Sequence, residues 1–208
     1  MKNIKIPKKI LITFFMTIVF VIVLYFGIPK LNRTANIVFT TDSKYTAYTE
    51  VALKSLELNK KPSTIYNITI LAVDLNEEDI KRFKAYSKNK FIVNVQPLSL
   101  KLVENIGKYK VYNHVSRADL FKFLMPEILN QYDKILYLDS DILIKKDLLS
   151  LYNTEIRHRY LAAVRRYTPE GVQLLVYKLT RKVYYYPLYN YNCGILLLNL
   201  KKMRKDNI

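Results

Sequence analysis

The chain has 208 residues, half of them hydrophobic, with 34 lysines and arginines against 17 aspartates and glutamates and a formal charge of +17. The hydrophobic content excludes a largely disordered chain, and the single cysteine, Cys193, excludes an intrachain disulfide and a cysteine-based zinc site. The positive charge indicates anionic partners, but no helix-turn-helix, zinc-finger or RNA-recognition pattern occurs, so we expect no nucleic-acid partner.

The N-terminus predicts a membrane anchor. Four lysines within residues 1–9 precede 19 uncharged residues, 10–28, close to the ~20 that span a bilayer. A cleaved signal peptide has a shorter apolar core and a small-residue cleavage pattern, which is absent here. The lysines place the short tail in the cytoplasm. We therefore expect a basic tail, a transmembrane signal-anchor over 10–28 and a linker over 29–35. The domain would lie in the Golgi or ER lumen of a eukaryote, or at the inner membrane of a bacterium.

Strand and helix patterns alternate along residues 36–130. Short apolar runs predict strands, and apolar residues at three- and four-residue spacing predict helices. The predicted strands are 36–40, 68–73, 91–95, 135–138, 160–164 and 194–198. The predicted helices are 45–58, 76–86, 115–129 and 147–152. This alternation predicts a Rossmann-like α/β fold with a mainly parallel sheet.

A pair of carboxylates follows the strand predicted over 135–138. Asp139 and Asp141 flank one serine, and side chains two residues apart in extended chain point the same way. The carboxyl end of a buried strand is where open α/β sheets bind ligands. Oxygen ligands of this kind hold Mg²⁺ or Mn²⁺, which in turn carry substrate phosphates. The alternative interpretation is a polar turn between two strands, since such a short motif often occurs without function.

Three separated stretches resemble one family. Asn36-Ile-Val-Phe-Thr-Thr-Asp-Ser-Lys-Tyr45, Tyr137-Leu-Asp-Ser-Asp141 and Tyr191-Asn-Cys-Gly-Ile-Leu-Leu-Leu-Asn199 resemble family 8 glycosyltransferases. These retaining, metal-dependent enzymes include glycogenin and the bacterial lipopolysaccharide galactosyltransferases. Val115-Ser-Arg-Ala-Asp-Leu120 fits the family's arginine-bearing helix. The resemblance covers residues 36–208 and implies the GT-A fold of nucleotide-diphospho-sugar transferases.

The resemblance also implies a donor site for a UDP-sugar. Thr40, Asp42 and Tyr45 would line the uracil and ribose pocket, with the Tyr45 ring stacked on the base. Asp139 and Asp141 would hold Mn²⁺ or Mg²⁺ against the diphosphate. A strand end, a helix cap and a core aromatic are the structural alternatives for the first three residues.

Catalytic roles are implied for three further residues. Arg117 would reach the donor sugar or its phosphates, and Asn192 and Cys193 would contact the transferred sugar. A surface ion pair is the structural alternative for Arg117, and a turn before a buried strand is the alternative for the other two.

The sequence departs from the family pattern in two places. Arg165-Arg166 stands where family members commonly have a carboxylate that binds the sugar. Only 14 residues follow Gly194, and the two histidines, His114 and His158, lie too early to be the late histidine that completes the family's metal site. We expect a C-terminally incomplete domain.

The expected function is a membrane-anchored glycosyltransferase that moves a hexose from a UDP-sugar to a glycan, glycolipid or glycoprotein acceptor. A truncated or inactive family member, which binds nucleotide or a partner without turnover, is the alternative.

Overall fold

The computed structural model describes residues 8–26, 33–99, 101–104, 117–167 and 189–208. The chain divides into two units, Met1–Asn32 and Arg33–Ile208. The first unit contains helix α1, Lys8–Phe26.

Helix α1 covers most of the predicted membrane anchor. Among the residues described, no helix is both long and apolar enough to cross a membrane. Residues 27 and 28 of the predicted anchor lie outside the described residues. The anchor predicted over 10–28 is therefore not confirmed.

The second unit contains six strands, six helices and one 3₁₀ helix among its described residues. The strands are β1 Thr34–Asp42, β2 Ile65–Val73, β3 Phe91–Pro97, β4 Ile135–Leu138, β5 Leu161–Tyr167 and β6 Tyr189–Leu198. The helices are α2 Thr46–Leu58, α3 Glu77–Ala85, α4 Lys101–Glu104, α5 Met125–Ile128, α6 Leu149–Tyr152 and α7 Leu200–Lys205, and the 3₁₀ helix is Arg117–Phe123. Every predicted strand is confirmed, as are the helices predicted over 45–58, 76–86 and 147–152.

The strands form one sheet in the order β3-β2-β1-β4-β6-β5. The first four are parallel, whereas β6 runs antiparallel to both of its neighbours. The prediction of a mainly parallel α/β sheet is confirmed. The parallel pairing of β1 with β4 and the antiparallel pairing of β4 with β6 bring the carboxyl ends of β1 and β4 beside the amino-terminal half of β6.

Both faces of the sheet are covered. On one face, β1 residues such as Ile37 and Phe39 pack with Leu53 of α2 in a buried cluster. On the other face, Val38 packs with Tyr137 in a second cluster that includes residues of α5 and α7. Because β1 and β4 are buried on both sides, their sequences are apolar runs rather than alternating patterns.

The helix predicted over 115–129 is broken. Its first part is the 3₁₀ helix and its second part is α5, which has Pro126 in its first turn. Proline lacks the N–H that a continuous helix needs and clashes with the preceding turn, so it starts a new helix here. As a result Phe121 is buried and Phe123 is 71% exposed, while Leu120 is buried.

Candidate functional site

Polar side chains from three strands meet at the carboxyl edge of the parallel strands. Asp139 follows β4 directly, and its N–H donates to the carbonyl of Gly194 on β6 at 2.8 Å. On the other side, Ser140 donates its hydroxyl to the carbonyl of Thr40 on β1 at 2.7 Å. The three motifs that carried the family resemblance are therefore brought to one place by the strand order.

One oxygen of the Asp139 carboxylate is held by internal donors. Its Oδ1 accepts hydrogen bonds from the Tyr137 hydroxyl at 2.6 Å and from the Lys122 ammonium at 3.0 Å. The Tyr137 hydroxyl also lies 3.0 Å from Thr40 Oγ1, and the Lys122 ammonium lies 4.7 Å from the centre of the Tyr137 ring. The Lys122 and Asp139 side chains are 16% and 32% exposed. These contacts fix the orientation of a partly accessible carboxylate.

The other oxygen of Asp139 faces Gly194. A Cβ at position 194 would lie 2.5 Å from Asp139 Oδ2 and 3.0 Å from Asn192 Oδ1. The Gly194 N–H donates to Asn192 Oδ1 at 2.6 Å, and the pairing between β5 and β6 is irregular at this point. Irregular pairing of this kind often re-aims side chains beside functional sites. Glycine is needed here for space, since its φ is not positive.

The segment after the two acids is tied to α2. The Ile144 N–H donates to Ser55 Oγ at 3.0 Å, and the Asn59 side-chain amide donates to the Ile144 carbonyl at 3.0 Å. Asp141 lies in the chain between Asp139 and the hydrogen-bonded Ile144. Its side chain is exposed, and none of the described residues hydrogen-bonds or ion-pairs with it.

Asp147 fixes the far end of the same segment. Its carboxylate accepts hydrogen bonds from the Lys61 N–H at 2.9 Å, the Tyr66 hydroxyl at 3.0 Å and the Leu149 N–H at 3.1 Å. Burial raises the pKa of Asp147, but these donors favour the charged form, and the net pKa is lowered. Burial of Tyr66, with the nearby carboxylate, raises the pKa of its hydroxyl.

The residues predicted for the nucleoside lie at the end of β1 and the start of α2. Asp42 Oδ1 accepts from the backbone N–H groups of Lys44 and Tyr45 at 3.0 and 3.2 Å, so it caps the turn before α2 rather than the helix itself. Tyr45 is 42% exposed, and its ring lies 5.4 Å from that of Tyr48 at an interplanar angle of 42°. It is therefore not a core aromatic. Thr40 is 7% exposed.

The three predicted catalytic residues differ in how far they can be placed. Arg117 begins the 3₁₀ helix, and its side chain lies outside the described residues. Asn192 and Cys193 are exposed on β6, and the Cys193 sulfur lies 3.9 Å from the Tyr191 carbonyl. The basic group that reaches Asp139 from the 3₁₀ helix is Lys122, which sequence reasoning missed. Its position two residues after the segment 115–120, within the helix predicted over 115–129, was the available signal.

The carboxylates fit a hard divalent cation. The Asp139 side chain is 32% exposed, and Asp141 is exposed and has no hydrogen-bond or ion-pair partner among the described residues. In the part of the chain that the structure describes, no three or more His, Cys, Asp or Glu side chains form a metal-binding group. Mg²⁺ and Mn²⁺ are commonly held by one or two carboxylates together with substrate phosphates and water. Two carboxylates therefore suffice for a site that is completed by a phosphate ligand.

Comparison with known proteins gives relatives of one kind. A putative glycosyltransferase of Haemophilus influenzae is 30% identical over 181 residues, which are 85% of this chain and 52% of that protein. Glycosyltransferase GlyE of Streptococcus pneumoniae is 26% identical over 180 residues, 85% of this chain and 38% of that protein. The crystal structure of the galactosyltransferase LgtC with donor and acceptor sugar analogues superposes with a TM-score of 0.64 and 26% identity, covering 82% of this chain and 59% of LgtC.

The chain spans about half the length, or less, of these curated relatives. The sheet resembles that of GT-A glycosyltransferases such as LgtC. The sequence profile described as "Glycosyl transferase family 8" matches residues 36–208, the whole of the sheet-forming unit but its first three residues. This chain belongs to glycosyl transferase family 8.

Proposed function

We propose that this chain binds the diphosphate of a UDP-sugar through Mn²⁺ or Mg²⁺ on Asp139 and Asp141, and transfers a hexose to a glycan or glycolipid acceptor with retention of configuration. One observation carries the proposal. At the carboxyl edge of the parallel strands, Asp139 is hydrogen-bonded to Gly194, and the adjacent Ser140 is hydrogen-bonded to Thr40. Family membership supports glycosyl transfer. The likeness to a galactosyltransferase supports a hexose as the transferred group.

The nucleoside end of the donor would lie at the β1–α2 junction. Tyr45 presents an exposed ring there for stacking on a base. The Asp42 carboxylate would provide a polar group for the uracil and ribose, whereas the Thr40 hydroxyl is buried beside that of Tyr137. The turn that Asp42 stabilises sets where the Tyr45 ring stands, since its carboxylate accepts from the Tyr45 N–H.

The diphosphate end would lie at Asp139 and Asp141. When bound, the metal ion would neutralise the diphosphate and act as a Lewis acid on the leaving group. Tyr137 and Lys122 hold the Asp139 carboxylate in one orientation, so little reorganisation is needed on binding.

The transferred sugar would lie near Asn192 and Cys193, with Arg117 adding positive charge to the donor. Among the residues that the structure describes, the site offers no evident nucleophile for a double displacement. We therefore favour attack of the acceptor from the face that the nucleoside diphosphate leaves, with the departing phosphate as the base.

Nucleotide binding without turnover is a second candidate function. It is favoured by the pair of carboxylates that stands without a third protein ligand among the described residues.

Calorimetric titration of UDP into the full chain, with and without Mn²⁺, tests the donor site. The expected result is Mn²⁺-dependent binding that is lost in Asp141→Ala, because this change removes a ligand without disturbing a described contact. Glu78→Ala removes an exposed carboxylate outside the site and is the matched control. Absence of UDP binding by the folded chain would contradict the proposal.

Release of UDP from UDP-sugars in the presence of candidate acceptors separates the two functions. Turnover that depends on Asp141 supports transfer. Metal-dependent UDP binding with no turnover of any UDP-hexose selects the second candidate.

A further inference from the structure

The Lys122 ammonium already stands where a metal ion would be attracted. It lies 3.0 Å from Asp139 Oδ1, one oxygen of a carboxylate whose side chain is 32% exposed. Its side chain is 16% exposed, and the Tyr137 ring lies 4.7 Å away on the same side. Lys122 is therefore a positioned charge and not a mobile surface lysine.

A positioned ammonium has two opposing effects on the carboxylate it contacts. It holds the Asp139 carboxylate in one orientation through the 3.0 Å contact. It also repels any dication that binds the same carboxylate, and this repulsion is stronger than in bulk water because the pair is partly shielded from solvent. The net affinity for a metal ion alone is therefore lowered by Lys122.

A nucleoside diphosphate changes this balance. Its phosphate oxygens carry enough negative charge to attract both the dication and the ammonium. When the diphosphate binds together with the metal ion, its negative charge offsets the repulsion between the metal ion and the Lys122 ammonium. Metal and diphosphate then strengthen each other's binding by the same factor, as linkage requires.

We propose that Lys122 is a positioning residue that makes metal binding at Asp139 conditional on the donor diphosphate. In the absence of nucleotide the ammonium serves as the counter-cation of Asp139 and disfavours Mn²⁺. In its presence the lysine becomes a partner of the phosphates. This inference rests on the proposed metal and diphosphate site, and it assigns a regulatory charge to a residue of the 3₁₀ helix.

The expected effect is large enough to measure. If the Lys122 ammonium and a dication contact the same carboxylate, they lie within about 6 Å of each other. With an effective dielectric constant of about 40–80, their repulsion lowers the affinity for the dication by about tenfold to a hundredfold. Removal of the Lys122 charge should raise the affinity for Mn²⁺ alone by that factor. Structural damage would lower the affinity instead, so a gain separates the electrostatic role from a packing role.

The test is a titration of Mn²⁺ into the full chain, with free Mn²⁺ measured by electron paramagnetic resonance, with and without UDP. Lys122→Met and Lys122→Gln remove the charge, and Lys122→Arg retains it. Lys145→Met removes an exposed lysine on the segment after the acids and controls for net charge. Without UDP, the first two variants should bind Mn²⁺ about tenfold to a hundredfold more tightly than the wild type, and the last two should match it. UDP should strengthen Mn²⁺ binding less in Lys122→Met than in the wild type.

The outcomes separate this inference from the function on which it rests. If the wild type binds Mn²⁺ in the presence of UDP, and both neutral variants bind Mn²⁺ alone no more tightly than the wild type, the inference is overturned and the metal site stands. If no protein binds Mn²⁺, with or without UDP, both are overturned. An equal gain in Lys145→Met would reduce the effect to net charge and would also overturn the role assigned to Lys122.

Discussion

Gly194→Ala is the change that most directly tests whether Asp139 is fixed. The added Cβ would lie 2.5 Å from Asp139 Oδ2, and ordinary contact begins at 3.4 Å, so the two groups must separate by about 0.9 Å. If the carboxylate turns, it leaves the Tyr137 hydroxyl at 2.6 Å and the Lys122 ammonium at 3.0 Å. If the backbone moves instead, the bond between the Asp139 N–H and the Gly194 carbonyl lengthens from 2.8 Å.

Both routes have a cost. Overpacking of one methyl group typically destabilises a protein by about 1–3 kcal/mol. In a domain of this size each kcal/mol lowers the unfolding midpoint by about 2–4 °C, so we expect a fall of about 3–10 °C. Metal–ligand distances tolerate only about 0.2 Å, so Mn²⁺-dependent affinity for UDP should fall at least about tenfold.

Thermal unfolding and calorimetric titration of UDP with Mn²⁺ measure the two effects on one preparation. Ala85→Ser adds one heavy atom at an exposed position of α3 and should change neither. A Gly194→Ala protein with unchanged affinity and an unfolding midpoint within 1 °C of the wild type would show that the Asp139 carboxylate moves freely, and the description of a fixed ligand would be wrong.

Two further changes test the hydrogen bonds around the site. Tyr137→Phe removes a buried hydroxyl that links Thr40 to Asp139; a loss of about 1–3 kcal/mol with weaker metal-dependent UDP binding is expected, and unaltered urea unfolding would argue against the link. Asp147→Asn tests a carboxyl whose pKa is lowered in the fold. The charged Asp147 carboxylate stabilises the fold fully above its unfolded-state pKa of about 4. This stabilisation is lost as the pH falls through the lower pKa of the folded state. The free energy of unfolding, measured with urea, should therefore fall less in the variant than in the wild type on acidification below pH 4. An equal fall in the two proteins would contradict this.

The strands could be predicted from sequence because burial on both faces leaves a clear local pattern. Strand β4, Ile135–Leu138, has the predicted bounds, since all four of its side chains are buried. The helix faces were less predictable. On α2, Tyr48 and Val51 are exposed while Thr49 and Ser55 are buried. The two hydroxyl groups are buried because Thr49 bonds to Thr41 and Ser55 accepts from the Ile144 N–H. Both contacts reach outside the helix, and the second joins residues 89 positions apart.

The site shows the same division between local and long-range information. The acids at 139 and 141 stand together in the sequence and follow a recognisable strand, so they could be predicted. The contact between Lys122 and Asp139 joins residues 17 positions apart and depends on the break before Pro126, which the helical pattern conceals. Gly194 was part of a recognised motif, but the reason for a glycine, the approach of Asp139 Oδ2, is visible only in the folded chain.

The two carboxylates of the motif occupy different electrostatic environments, and this difference assigns them different tasks. Asp139 is held by a phenol and an ammonium on one oxygen, which makes it a ligand of fixed orientation and reduced net charge. Asp141 is exposed and has no described partner, so its full charge attracts a cation approaching from solvent. At the proposed metal site, an unpaired Asp139 would attract a metal ion with or without a diphosphate, whereas an Asp139 already paired with Lys122 would bind it best when a diphosphate supplies further negative charge. Under the proposed function, the arrangement would therefore favour capture of metal and nucleotide as a pair.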